Sequence, residues 1–391
     1  MSTWAVHAGR AFTPHQEIED AVVVVEGGTI TAVGTRKDVA VPEGARMVEA
    51  PDATLVPGFV DVHVHGAGGQ DVMAGTAEAL ETVAETLARG GTTSFLATTV
   101  TAAPERLLAS AQGIARHAKE QNGAPRSVSP RAEILGIHYE GPFISAARRG
   151  VHPAEWIAKP SPELFGRMLE AAGGMARILT LAPEVPGGLE LVRDAVDSGL
   201  VASLGHTDAT YEQAMAAIER GARHAAHVFN AMRPFSHRDT GVLGAVFTSP
   251  QVTAELIADG VHVDAAAMKL LLKAKTAGGV ILVSDGTAAT GMRDGRYRLG
   301  DFEVDVKGGV VRNTEGKLAG SALPLDRALR NILALGVPMM DAVWMLTVQP
   351  ARLLGIEKRK GVLAEGADAD MVLLDAQMQI SGVIARGVGF D

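Results

Sequence analysis

Pro57-Gly58-Phe59-Val60-Asp61-Val62-His63-Val64-His65-Gly66 is the stretch on which the reading of the chain turns. It opens on a Pro-Gly turn, continues as a short apolar run and ends in His-x-His-Gly, with Ala67-Gly68-Gly69 behind it. Residues two apart on a β-strand project to the same face, so His63 and His65 point together. Two convergent imidazoles at a strand end make half of a metal site. A bare His-x-His is equally compatible with two solvated loop histidines, and the other His and acidic residues have to decide.

Downstream of this stretch, strand-like and helix-like segments alternate. Helical stretches are expected near 76–90, 104–121, 162–173, 187–198, 210–220 and 264–276. Between them, apolar runs lead to Thr98, Glu140, Glu184, His206, His227, Ala258 and Asp285. With the first run this makes eight strands, the pattern of a (β/α)8 barrel, with a doubly wound open sheet as the alternative. His65, Glu140, His206, His227, His262 and Asp285 all fall at or just past strand C-termini. A closed barrel gathers those ends around one mouth, whereas an open sheet strings them along an edge, so the barrel is favoured.

Upstream, residues 1–56 read as short strands, with a hairpin signal at Glu26-Gly27-Gly28 between two β-branched runs. Residues 361–391 carry a matching strand-rich pattern. The simplest organisation is a small β-sandwich made from 1–56 and 361–391, with the barrel, 57–360, inserted between. Within the barrel segment, 293–313 breaks the rhythm and reads as an inserted hairpin, followed by helical stretches near 322–336 and 338–348.

The 391 residues are 47% hydrophobic and 21% charged, as suits a globular α/β protein with a large core. Aromatics are 4% and glycines number 45, so that core is packed mainly by Ala, Val, Leu and Ile. No apolar run approaches the roughly 20 residues of a membrane span. The Met1-Ser2-Thr3-Trp4-Ala5 start lacks the parts of a signal peptide, so no membrane partner and a cytoplasmic address are expected. The absence of cysteine excludes disulfides and thiolate chemistry. A net charge of −9 without a Lys/Arg-rich run argues against nucleic-acid binding. An anionic substrate would need few, local cations.

One Glu and two His, at positions 140, 206 and 227, suit a divalent ion such as Zn2+ with one position left open. Asp285, in Ser284-Asp285-Gly286, can take a proton from an attacking water and return it to a leaving amine. His262, in Asp259-Gly260-Val261-His262, is placed to donate to a developing oxyanion.

Together with Pro57–Gly66, the motifs are His138-Tyr139-Glu140-Gly141-Pro142-Phe143, Gly205-His206-Thr207, His227-Val228-Phe229-Asn230-Ala231-Met232, Asp259–Asp264, Ser284-Asp285-Gly286 and Leu318-Ala319-Gly320-Ser321. This set resembles the amidohydrolase superfamily and, within it, the N-acetylglucosamine-6-phosphate deacetylases, over nearly the whole chain. The resemblance implies a barrel with a β-sandwich from both termini, and hydrolysis of an acetamide on a phosphorylated amino sugar. The products would be D-glucosamine 6-phosphate and acetate. A related deacetylase or a cyclic-amide hydrolase is the alternative.

By the same resemblance, Glu140, His206 and His227 are metal ligands, Asp285 is the acid/base and His262 polarises the acetyl carbonyl and contacts substrate. His152 would contact the sugar, and Asn230 and Ala231 the region of the phosphate. Arg238 would reach across a homodimer to the neighbour's phosphate. Many superfamily members bridge two metals with a carboxylated lysine. None stands in that role here, so Glu140 would bridge if His63 and His65 hold a second ion. One or two ions per chain are therefore expected, Zn2+ first, with Fe2+, Mn2+ or Co2+ as alternatives.

Overall fold

The computed structural model describes residues 3–123 and 129–389. The chain begins with four strands, β1 (Thr3–Phe12), β2 (Glu17–Glu26), β3 (Thr29–Thr35) and β4 (Arg46–Pro57). The β2–β3 hairpin pairs Glu26 with Thr29, and Gly27 and Gly28 take φ of 57° and 85°. Two positive φ values give the turn whose twist matches that of paired strands, which glycine adopts without strain.

β5 (Phe59–Val64) leads into a two-stranded ribbon, β6 (Gly66–Ala67) and β7 (Gln70–Asp71). The alternation follows: α1 (Ala77–Arg89), β8 (Thr92–Thr99), α2 (Pro104–Gly123), β9 (Glu133–Glu140), α3 (Pro162–Ala172), β10 (Ala176–Leu181) and α4 (Gly188–Asp197). It continues with β11 (Val201–Leu204), α5 (Tyr211–Glu219), β12 (His224–Ala225), α6 (Gly241–Thr248), β13 (Thr253–Leu256), α7 (Ala265–Lys275) and β14 (Val280–Leu282). Side-chain caps mark several helix starts. Thr76 accepts from the Ala79 N–H, Ser161 from Leu164, and Thr210 forms a capping box with Gln213. The sequence pattern did not anticipate α6. Its GVLGAVFT is apolar all round and buried from Gly241 to Val246, so no polar face exists to give a helical period.

β5 and β8 to β14 form one parallel sheet in the order β14-β13-β12-β11-β10-β9-β8-β5. Its two ends meet just beyond the strands. The Asp285 N–H donates to the His63 carbonyl (3.0 Å), and the Gly286 carbonyl accepts from the N–H of His65 (2.8 Å) and of Gly66 (2.9 Å). These bonds close the barrel that the strand count predicts. Its strands are buried on both faces, as parallel strands covered by helices must be.

After the barrel comes β15 (Gly295–Leu299), β16 (Phe302–Lys307) and β17 (Val310–Asn313), so the expected hairpin gains a third strand. α8 (Leu325–Ala334), α9 (Met339–Leu346), α10 (Val348–Leu353), β18 (Met371–Leu374) and β19 (Ile380–Ile384) complete the chain. A six-stranded sheet, β19-β18-β4-β1-β2-β3, joins both termini. β18 runs antiparallel to β4, with Met371 opposite Pro57. One face of this sheet packs Val6, Val23, Leu55 and Met371 against Trp344 and Val348. No helix among the described residues is long and apolar enough to cross a membrane.

The sheet is tied to the barrel floor by a buried charge cluster. Lys360, 1% exposed, places its Nζ 2.6 Å from Glu133 at the start of β9, 2.8 Å from Asp368 and 2.7 Å from Asp370. Burial pushes the Glu133 carboxyl up, but the Lys360 and Arg359 charges outweigh it and hold it at about 2. Asp370 is raised, because its burial is only partly offset by Lys360.

Replacing Lys360 by Met leaves the buried Asp370 without a cation and Glu133 and Asp368 with Arg359 alone, and should cost about 3–5 kcal/mol, read from urea unfolding at neutral pH. The Glu133 contribution has a defined pH window. Its folded value lies below the ordinary 4.5, so it stabilises fully above pH 4.5 and is lost as pH falls toward 2. Acid unfolding of Glu133→Gln should therefore be less steep across that range, and an unchanged slope would count against the assignment.

Candidate active site

The barrel mouth is built from strand ends. His63 is on β5 and His65 one residue beyond it, Glu140 ends β9, His206 follows β11, His227 follows β12 and Asp285 follows β14. His206, His227 and Asp285 have φ of 48°, 25° and 49°, a left-handed backbone that non-glycine residues seldom adopt. Each turns the chain sharply after its strand, which aims the side chain across the mouth. Hydrogen bonds hold these conformations. The Asp285 carbonyl accepts from Ser321 N–H (2.7 Å), the His206 carbonyl from Ser145 N–H (2.9 Å), and the His227 N–H donates to Glu255 (2.9 Å).

Glu140 lies at the centre. Its Oε1 is 3.0 Å from His206 Nε2, 2.8 Å from His227 Nε2 and 3.4 Å from His63 Nε2. Its Oε2 is 3.4 Å from His65 Nε2 and 3.3 Å from His152 Nε2. Asp285 Oδ1 is 3.1 Å from His65 Nε2 and 3.6 Å from His63 Nε2. The opposite ring nitrogens fix the tautomers of the neutral rings. His63 Nδ1 donates to Glu255 (2.8 Å), His65 Nδ1 to the Thr98 carbonyl (3.0 Å) and His206 Nδ1 to the Arg148 carbonyl (3.0 Å). In their neutral forms the Nε2 lone pairs therefore face the carboxylates, and His206 and His227 set their Nε2 atoms only 3.2 Å apart. Burial pushes His63, His65 and His227 down, but the facing Glu255, Glu140 and Asp285 outweigh it and raise all three, so without an ion protons stand between these atoms. Lone pairs meeting lone pairs in a dry site repel, and a divalent cation between them removes the conflict. His63, Glu140 and His227, and separately His63, His65 and Asp285, bring one donor atom each within 4.8 Å of one another. The donor set fits a cation.

His152 is different. Its Nδ1 accepts the Thr101 N–H (3.2 Å), so the proton of the neutral ring is on Nε2. It faces the site as a hydrogen-bond donor, not as a ligand. His262 donates from Nδ1 to Asp259 (2.6 Å), whose carboxyl is pushed up by burial but held low overall by that bond.

Burial lowers His206 to about 4, which the facing Glu140 offsets only in part. Burial pushes Glu140 up, yet the facing His63 and His206 hold it well below the usual carboxylate range. Asp285 is likewise lifted by burial and lowered overall by its bond to His65, so it stands ionised. These groups share a cavity of about 200 Å3 with His152, Asn230, Ala231 and His262. Its other wall is apolar, formed by Val100, Val151, Leu299, Phe302 and Leu318, of which Leu299 and Phe302 come from the inserted β15–β17 segment. Arg238 is exposed in the loop before α6 and does not line this cavity.

The model of the amidohydrolase family matches residues 54–388. The chain belongs to the amidohydrolase family. This amidohydrolase is 37% identical to an N-acetylglucosamine-6-phosphate deacetylase of Bacillus subtilis (strain 168), over 96% of the chain and 94% of that protein. It is 34% identical to an N-acetylgalactosamine-6-phosphate deacetylase of Escherichia coli O157:H7, over 98% of each. Among solved structures it superposes on a mutant N-acetyl-D-glucosamine-6-phosphate deacetylase of Mycobacterium smegmatis in complex with N-acetyl-D-glucosamine-6-phosphate. The TM-score is 0.91 at 36% identity, covering 100% of this chain and 99% of that one. The family is metal-dependent, in keeping with the donor set.

Three buried polar residues of this amidohydrolase escape the sequence reading. Glu255 on β13, 0% exposed, accepts from His63 Nδ1 (2.8 Å), His224 Nε2 (2.9 Å) and the His227 N–H (2.9 Å). It orients one ring and one backbone turn of the donor set. His138 meets the His63 ring edge-on, centroids 4.6 Å apart, and is bonded at both nitrogens, to the Val62 carbonyl and Thr180. Asp61 Oδ1 accepts from the N–H of His63 (3.2 Å) and of Ser284 (3.3 Å), and burial raises its carboxyl to about 7. A charged residue inside an apolar strand, as Glu255 is in Val252-Thr253-Ala254-Glu255-Leu256, is the signal that could have found it.

Glu255→Gln keeps the shape but removes the charge that fixes the His63 tautomer. The variant should stay folded and bind divalent ions about 10–100-fold more weakly, measured by chelator competition. Unchanged ion affinity would show that His63 needs no such partner.

Proposed function

We propose that this amidohydrolase removes the acetyl group from N-acetyl-D-glucosamine 6-phosphate, giving D-glucosamine 6-phosphate and acetate. The observation that carries the reading is the pair of carboxylates, Glu140 and Asp285, faced by bare imidazole nitrogens in a cavity that also holds two histidine donors. Glu140, His206 and His227 would hold one divalent ion, Zn2+ first among the candidates, and His63 and His65 a second bridged by Glu140. A bound divalent ion supplies Lewis acidity and offsets the charge of two close carboxylates.

The chain's own groups do the rest. Asp285 Oδ1, ionised and held by His65, takes the proton of the attacking water and delivers it to the departing amine nitrogen. His262, in its imidazolium form with Nδ1–H held by the Asp259 carboxylate, donates from Nε2–H to the acyl oxygen as charge builds there. His152 Nε2–H donates to the sugar, and the Asn230–Ala231 segment borders the phosphate. The apolar wall of Leu299 and Phe302 keeps bulk water from the acyl group. Arg238, outside its own cavity, belongs to a homodimer in which it reaches the neighbour's phosphate, and a strictly monomeric protein in sedimentation would rule this out. A sugar phosphate does not cross a bilayer unaided, so a cytoplasmic address goes with this substrate. Likeness to the galactosamine deacetylase favours a second reading, in which the C4 epimer is the better substrate.

Comparing kcat/KM for the two phosphorylated sugars and for unphosphorylated N-acetylglucosamine decides the function. N-acetyl-D-glucosamine 6-phosphate should lead, and equal turnover of the unphosphorylated sugar would defeat the phosphate reading. In the same assay Asp285→Asn should lose roughly 10²–10⁴-fold in kcat with the ions retained, and near-normal turnover would remove Asp285 from its role. Metal analysis should find two ions per chain, falling to one in a His63→Ala/His65→Ala double variant. One ion in both proteins would leave a single-ion site.

A further inference from the structure

A second cavity lies against the outside of the same strands. It measures about 420 Å3 and is enclosed by β5, α1, the loop after β14 and the start of α8. The size suits a small-molecule ligand. Its lining contains Asp61, Ser284, Thr290, Asp326 and Arg89. Asp61 is 0% exposed, and although its Oδ1 accepts two backbone N–H groups, its Oδ2 has no hydrogen-bond partner. Thr290 is 3% exposed and its hydroxyl is equally unpartnered, as is Asp326 Oδ1, whose other oxygen pairs with Arg330. Buried polar atoms left without partners call for an occupant. The inner side of this cavity is rich in acceptors and its rim carries an exposed cation, Arg89.

We propose that this cavity is a regulatory site for an amino sugar phosphate, the chemical class of the product. The hydroxyls and ammonium of such a molecule would meet Asp61 Oδ2, Asp326 Oδ1 and Thr290, and its phosphate would meet Arg89. The coupling to catalysis is direct. Asp61 Oδ1 holds the backbone N–H of His63 and of Ser284, one residue before Asp285, so an occupant pulling on Oδ2 acts on both strands of the active centre. The inference rests on the proposed reaction for the identity of its ligand.

The test is calorimetric titration of the metal-loaded protein with D-glucosamine 6-phosphate, beside product-inhibition kinetics. Two binding events per chain and inhibition with a non-competitive component are expected. Thr290→Val, which removes an unpartnered hydroxyl at constant shape, and Arg89→Gln, on the surface, should each weaken one event about tenfold or more. Both should leave the other event, kcat and KM unchanged. A single binding event with purely competitive inhibition, indifferent to both variants, overturns the proposal. If acetyl hydrolysis is absent from the wild type, the catalytic reading fails. If hydrolysis is present and the second event is not, the regulatory site alone fails.

Discussion

The seam between β5 and the residues after β14 is the constraint from which the rest of the structure follows. Backbone hydrogen bonds cross it from Asp285 to His63 and from His65 and Gly66 to Gly286, continued by those from Gly68 to Thr290 and from Gly69 to Ala288. They turn an eight-stranded sheet into a closed barrel, and they do so at the height of the active centre. Closure and site assembly are therefore one event. The donors on the first strand and the carboxylate after the last come within 3.1 Å of each other because the sheet edges that carry them are bonded together. An open sheet of the same strands would hold these groups at opposite edges.

Around the seam the side chains are constrained twice over. Strand pairing sets where each Cα lies, and a second layer of acceptors sets how each ring is turned: Glu255 for His63, the Thr98 carbonyl for His65, the Arg148 carbonyl for His206. The left-handed turns at His206, His227 and Asp285 cost of order 1–3 kcal/mol each. Their persistence shows how firmly the flanking hydrogen bonds determine the backbone. Rigid aim of this kind is what differential stabilisation of a transition state requires, since little reorganisation is then left for the reaction to supply.

Much of this was legible in the residues. His63, His65, Glu140, His206, His227 and Asp285 stand at strand ends, and a period of strand and helix is enough to place such ends on one mouth. The hairpins at Glu26-Gly27-Gly28 and after residue 293 announced themselves through turn glycines and alternation. What could not be read has definite physical causes. α6 is buried on all sides and so lacks the two-faced pattern that reveals a helix. Glu255 and Asp61 act through partners 192 and 223 residues away, His63 and Ser284 respectively, and no local pattern encodes such a pairing. The donor role of His152 depends on one backbone N–H, that of Thr101, which only the folded chain brings to it.

The pairing of β18 with β4 also bears on how the protein is made. The first four strands leave the ribosome early, yet the free edge of β4 at Thr54–Pro57 waits for Met371–Leu374, more than three hundred residues later. At roughly 5–20 residues per second the wait lasts roughly 15–60 s. Throughout it, a nascent sheet presents an unpaired edge, the kind of surface on which strands from other chains add. Synthesis that stops before β18 would leave that edge open for good, so Met371–Leu374 guard β4 against aggregation.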